Sequence, residues 1–169
     1  MLNWFSQSPQ SDSVVITGAS TGIGAACALT LDKLGYRVFA GVRHPADGER
    51  LQQQAGPRLM PIRLDVTDAA SISAASHTVA AMVGERGLAG LVNNAGIGVA
   101  GPIELLPLAD WRRQFEVNVF GLIAVTQTFL PLIRTGRGRI INMGSIAGRA
   151  SMPFMAPYAA SKHALEAIT

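Results

Sequence analysis

The chain has 169 residues, 49% of them hydrophobic and 15% charged, so it can bury a large core and is not disordered. Its net charge of +3 comes from 14 Lys and Arg against 11 Asp and Glu. No basic run with interleaved aromatics appears, Arg134, Arg137 and Arg139 coming nearest, so no nucleic-acid partner is expected.

Residues 1–13 have neither a basic start nor an unbroken apolar stretch, which argues against a signal peptide. Val14, Val15 and Ile16 are a β-branched run, the composition of a strand buried on both faces. Gly18, Gly22 and Gly24 follow, in a turn that leads into an apolar helix over residues 23–34, stopped by Gly35. A strand that turns through glycines onto a helix N-terminus offers free N–H groups to a phosphate, so the pyrophosphate of a dinucleotide is the natural ligand. The alternative is an ordinary glycine-rich βα turn. Cys27, the lone cysteine, excludes an internal disulfide and fits a reducing, cytoplasmic setting. It shares a helix face with Ile23 and Leu31 and is expected to pack rather than react.

A second strand is predicted over residues 36–42 and a short polar helix over 48–54. The third strand, 59–64, contains Pro61, which argues for a sheet edge because proline donates nothing to a central ladder. Thr67 or Asp68 is the expected N-cap of a helix reaching about residue 83. Strand four covers 88–92 and closes on Asn93-Asn94-Ala95-Gly96. A long helix is predicted from about residue 108 to 132, strand five over 139–143, and a last helix from Pro157 onward. The apolar segment 120–133, broken by Thr126, Gln127, Thr128 and Pro131, reads as too short and too polar for a bilayer. No group of ligating side chains suggests a metal.

Alternating strands and helices imply right-handed crossovers and a parallel sheet covered on both faces. The expected architecture is one doubly wound α/β domain over residues 1–169, with strand order 3-2-1-4-5 and its ligand beyond the ends of strands one and four. The last helix carries Tyr158 and Lys162, one turn apart on one face. An ammonium beside a phenol favours the phenolate and brings it toward use as a proton carrier at neutral pH. Ser145, directly after strand five, stands where it could hold the same substrate oxygen.

Taken together, TGASTGIG, Asp65-Val66, NNAG, Asn118, Ser145 and YAASK resemble the short-chain dehydrogenase/reductase family, in family order from Val14 onward. The resemblance implies Tyr158 as general acid/base and a cofactor contact, with Lys162 lowering its pKa and holding the nicotinamide ribose. It implies that Ser145 orients the substrate oxygen and that Asn118 holds a water linking Lys162 to solvent. It assigns Gly18, Ser20, Gly22, Ile23 and Gly24 to the cofactor's phosphates, Asp65 and Val66 to its adenine, and Asn94, Ala95 and Gly96 to its ribose and the cleft. Asn93 braces the strands instead. Strand two ends in Gly41-Val42-Arg43-His44 with no carboxylate before Asp47, so Arg43 points to NADP rather than NAD. The alternative for Arg43 is a loop cation stacking on adenine.

Residues 98–101 and 152–156 border the site and are almost wholly apolar, which suits a small apolar alcohol or carbonyl substrate. His163 reads as packing or surface. Family members continue past such a helix, so the resemblance implies a C-terminally truncated chain with an open ladder and apolar surface beside strand five. The long helix is apolar nearly all round over 117–125, and in the family it pairs with its copy; a homodimer or homotetramer is expected. Two other readings stay open: nucleotide binding without turnover, and an interaction module.

Overall fold

A computed structural model of the protein describes residues 12–169. Residues 1–11, on which the signal-peptide expectation largely rests, lie outside the described residues. Five parallel strands form one sheet in the order β3-β2-β1-β4-β5. They are β1 (Ser13–Ile16), β2 (Arg37–Val42), β3 (Leu59–Arg63), β4 (Gly90–Asn93) and β5 (Arg139–Asn142). The doubly wound order is therefore the expected one, and Pro61 lies in an edge strand, where its missing N–H costs no ladder bond.

Side chains alternate through the sheet and divide the core in two. Val15, Phe39 and Leu91 face α3 (Ala69–Val83) and the Leu122–Thr135 helix, joining Val79, Val125 and Phe129. Val14, Ile16, Val38, Ala40 and Val92 face the other way, toward Ala28 of α1 (Gly22–Lys33) and Leu51 of α2 (Pro45–Gln52). Each large side chain buried in these layers stabilises the fold by about 1.5–3 kcal/mol relative to exposure. Cys27 is half-buried against the second layer, and burial pushes its thiol pKa up. It packs, as expected.

Three elements differ from the sequence reading by more than one residue. The helix after β2 starts at Pro45, not near Gly48, because proline is well suited to the first helical turn, where its N–H is not needed. Strand four is shifted to Gly90–Asn93, which brings Asn93 into the ladder opposite Asn142. The long helix is not uniform: α4 (Leu108–Phe115) passes through one widened π turn, Glu116–Gly121, into α5 (Leu122–Thr135). Leu34 caps α1, Gly35 follows at φ 96°, and Asp68 caps α3 by accepting from Ala70 N–H.

Taken whole, Leu108–Thr135 is long and apolar enough to cross a membrane by length and composition, which residues 120–133 alone do not suggest. In this fold it lies along the sheet, with Val125, Phe129 and Ile133 in the core. At the other sheet edge β5 is half open, and Ile141 is 51% exposed.

Candidate active site

The site grows from the turn between β1 and α1. Gly18 adopts φ 64°, and a Cβ there would stand 2.7 Å from Ala95 Cα. This contact lets the Asn94-Ala95 turn lie directly on the glycine turn. Thr17 Oγ1 accepts from both Asn94 N–H and Ala95 N–H at 3.0 Å, and Asn94 Nδ2 donates to Thr17 C=O and Gly18 C=O. Two loops far apart in sequence thus form one rigid floor. The Asn94 amide is spent on that floor, while Asn93 Nδ2 donates to Thr126 Oγ1 and Asn142 Oδ1, bracing the strands as expected.

Above the floor opens a cleft of about 690 Å³. Gly18, Ser20, Ile23, Gly24, Arg43, Asp65, Val66, Asn94, Ala95 and Gly96 all line it. Of the residues assigned to the cofactor, Gly22, Tyr158 and Lys162 do not. The N-terminus of α1 has no side-chain cap and no carboxylate in its first turn, so its leading N–H groups are open to an anion. The donor set fits a dinucleotide phosphate. Burial opposes the charge on Asp65, but hydrogen bonds from Thr67 N–H and Oγ1–H, with the nearby Arg43 and Arg63 charges, hold its carboxyl below the usual range. Arg112, Arg113 and Glu116 complete the wall. Sequence reading missed these three, since their only signal is one polar stripe on a helix.

Tyr158, Lys162 and Ser145 do not line the cleft. Tyr158 opens α6 (Ala156–Ile168), and a Cβ on Gly98 would touch its ring at 3.9 Å. Lys162 Nζ lies 5.8 Å from that ring's centroid and donates to Met143 C=O at 2.6 Å. Only 7% of Lys162 is exposed, and burial pushes its pKa down. This is not a solvated helix charge. Ser145 caps the turn Ile146–Gly148, which packs on α6; its Oγ accepts from Ala147 N–H and keeps its own proton to donate.

Asn118, in the π turn, is buried, and its side-chain amide binds the backbone of Ile97 and the hydroxyl of Ser161. Its Oδ1 accepts from Ile97 N–H, and its Nδ2 donates to Ile97 C=O and Ser161 Oγ. His163 is exposed, its Nδ1 2.9 Å from Ala159 C=O. Among the described residues no cluster of His, Cys, Asp and Glu could hold a metal.

Residues 12–169 match the family described as short chain dehydrogenase. The chain belongs to the short-chain dehydrogenase/reductase family. It is 44% identical over 154 residues to the Bos taurus dehydrogenase/reductase SDR family member 9, covering 90% of this chain and 48% of that one. Mus musculus retinol dehydrogenase 5 is 42% identical over 163 residues, covering 95% and 51%. This short-chain dehydrogenase/reductase chain spans about half the length of the curated relatives it matches. A gluconate 5-dehydrogenase from Burkholderia cenocepacia, solved with NADP and tartrate, superposes with a TM-score of 0.83 at 30% identity, covering 95% of this chain and 66% of that one.

Proposed function

We propose that this protein is an NADP-dependent oxidoreductase acting on an apolar secondary alcohol or ketone. The observation that carries the reading is the Tyr158–Lys162 pair, its ammonium buried beside the tyrosine ring, in a chain that also has a dinucleotide-sized cleft. When bound, the nicotinamide supplies or accepts the hydride. The chain's own part is to bind, orient and move a proton. Ile23 and Gly24 hold the phosphates, Asp65 and Val66 the adenine, and Tyr158 Oη passes a proton to or from the substrate oxygen. Lys162 keeps that oxygen beside positive charge, and Ser145 Oγ donates to it. Asn118 leaves any bridging water to its main chain, because its side chain is committed.

The substrate class rests on the exposed apolar lips, Met152 and Phe154, with Gly101 N–H donating to Phe154 C=O to join the two loops. The relative named retinol dehydrogenase 5 fits an apolar alcohol. A cytoplasmic setting belongs to the same proposal, on the lone, protonated Cys27. The test is loss of NADPH absorbance on adding an apolar ketone. Turnover supports the reading. NADPH fluorescence enhancement without turnover favours a nucleotide-binding chain, a reading supported by Tyr158 and Lys162 not lining the cleft. Neither signal would leave an interaction module.

For NADP, the support is Arg43 in the cleft wall and the pairing of Asp47 with Arg50, which engages the first carboxylate after β2. Arg43→Ala should weaken NADPH relative to NADH by about 1.5–3 kcal/mol, the range for a charged hydrogen bond. Competition titrations with the two cofactors read this out. Equal losses would show that Arg43 does not bind the 2′-phosphate.

A homodimer or homotetramer through the α4–α5 helix and α6 is also part of the proposal. Phe120, on the outer face of the π turn, is 55% exposed, and most of the helix's apolar window is unburied. Sedimentation at tens of micromolar should show an oligomer, and Phe120→Glu should dissociate it. A monomer, with unchanged mass in the Glu variant, would refute the assembly.

A further inference from the structure

Gln114 is fully buried, yet it is a polar residue in α4 that takes no place in the cleft or the Tyr158–Lys162 pair. Its Oε1 accepts from Val99 N–H at 2.7 Å, and its Nε2 donates to Ile97 C=O at 2.8 Å and reaches Ser161 Oγ at 3.4 Å. One turn on, Asn118 takes Ile97 N–H and also donates to Ile97 C=O. In extended chain the N–H and C=O of one residue and the N–H of the next but one point to the same side. Two amide side chains therefore satisfy this edge as a neighbouring strand would.

The geometry has a consequence for the site. Gly98, between the two held residues, faces the Tyr158 ring. Asn118 anchors the segment before Gly98, and Gln114 alone among the described side chains anchors it after, at Val99. Both amides also meet Ser161, which in turn donates to Tyr158 C=O at 2.7 Å. We propose that Gln114 is a positioning residue that clamps the Ile97–Val99 segment against Tyr158, setting the pose of the phenol. The inference rests on the oxidoreductase reading for its kinetic consequence, but not for its structural one.

Gln114→Met keeps length and volume while removing the acceptor of Val99 N–H, so the segment is released and the ring loses its wall. Per NADPH-titrated site, kcat should fall between about tenfold and a hundredfold, the effect of a small misplacement, with NADPH affinity within about twofold. A merely structural role would instead lower Tm and leave kcat per site unchanged. Gln114→Glu adds a control with its own pH signature. Its neutral acid accepts from Val99 N–H and donates to Ile97 C=O, so its kcat relative to the native protein should recover as pH falls. The Met variant's ratio should stay flat. If the Met variant fails to fold, the Glu variant at low pH carries the test.

A second readout needs no turnover. The chain has two tyrosines, so in carbon-13 tyrosine-labelled protein the Tyr158 ring signal should shift or broaden in Gln114→Met while that of Tyr36 stays fixed. An unmoved Tyr158 signal, or kcat within about twofold of native, would overturn the proposal. Absent turnover in the native protein with a shifted Tyr158 signal would sink the oxidoreductase reading and leave the clamp standing.

Discussion

Tyr158→Phe should abolish turnover and leave NADPH binding within a few-fold, because only the proton-carrying hydroxyl is lost. The ring keeps its place, held by α6 and facing Gly98. Lys162 keeps its bond to Met143 C=O, which does not depend on the phenol. Burying an ammonium disfavours its charged form, as its lowered pKa shows, so the fold tolerates Lys162 at a cost in stability. Such a cost is expected at a reacting centre, and the bond to Met143 C=O offsets part of it. Steady-state rates with an apolar ketone, set beside NADPH fluorescence titration, read out both halves. Activity above about a tenth of native would remove Tyr158 from the acid/base role. Parallel loss of binding would place the tyrosine in the cofactor site instead.

Gly24→Ala has the second largest expected effect, and it acts on the floor of the cleft. A methyl there would lie 2.3 Å from Gly18 C=O and 2.4 Å from Asn94 Nδ2, far inside contact distance. Those two groups are bonded to each other, so the substitution forces apart the hydrogen bonds that hold the two turns together. The fold should lose about 1–3 kcal/mol, as for overpacking, and NADPH binding should disappear with the shape of the turn. Gly22→Ala is the matched control. It has φ 58° but nothing within 4 Å of its Cβ, so it should cost only about 1–2 kcal/mol of backbone strain. Denaturant titration and NADPH fluorescence distinguish them. Gly24→Ala binding NADPH as the native protein does would mean that the floor is not rigid.

Legibility in the sequence followed the reach of the interactions. The β-branched run before the glycines, Pro61 in an edge strand and the strand–helix alternation were all readable, and with them the sheet order. Tyr158 and Lys162 share a face because four residues are one helical turn, which needs no tertiary knowledge. These features are set by periods of 2 and 3.6 residues and by which residues break them. Local boundaries slipped where one residue's special chemistry overrode the pattern, as at Pro45.

What the tertiary structure alone decided is which polar side chains face one another. Thr17 joins the glycine turn to Ala95 across 78 positions, and Gln114 meets Ser161 across 47. In the sequence these residues are a threonine before a glycine turn, a glutamine in a charged helix and a serine beside a lysine. The burial of Lys162 is likewise a property of the folded chain, in which its Nζ meets Met143 C=O, and not of its helix. The sequence by itself determined the strands and helices, the glycine turn and the spacing of Tyr158 and Lys162, because each arises within a few residues. The floor of the cleft, the π turn and the clamp on Tyr158 required the folded chain, since a buried hydrogen bond exists only when two distant segments exclude water together.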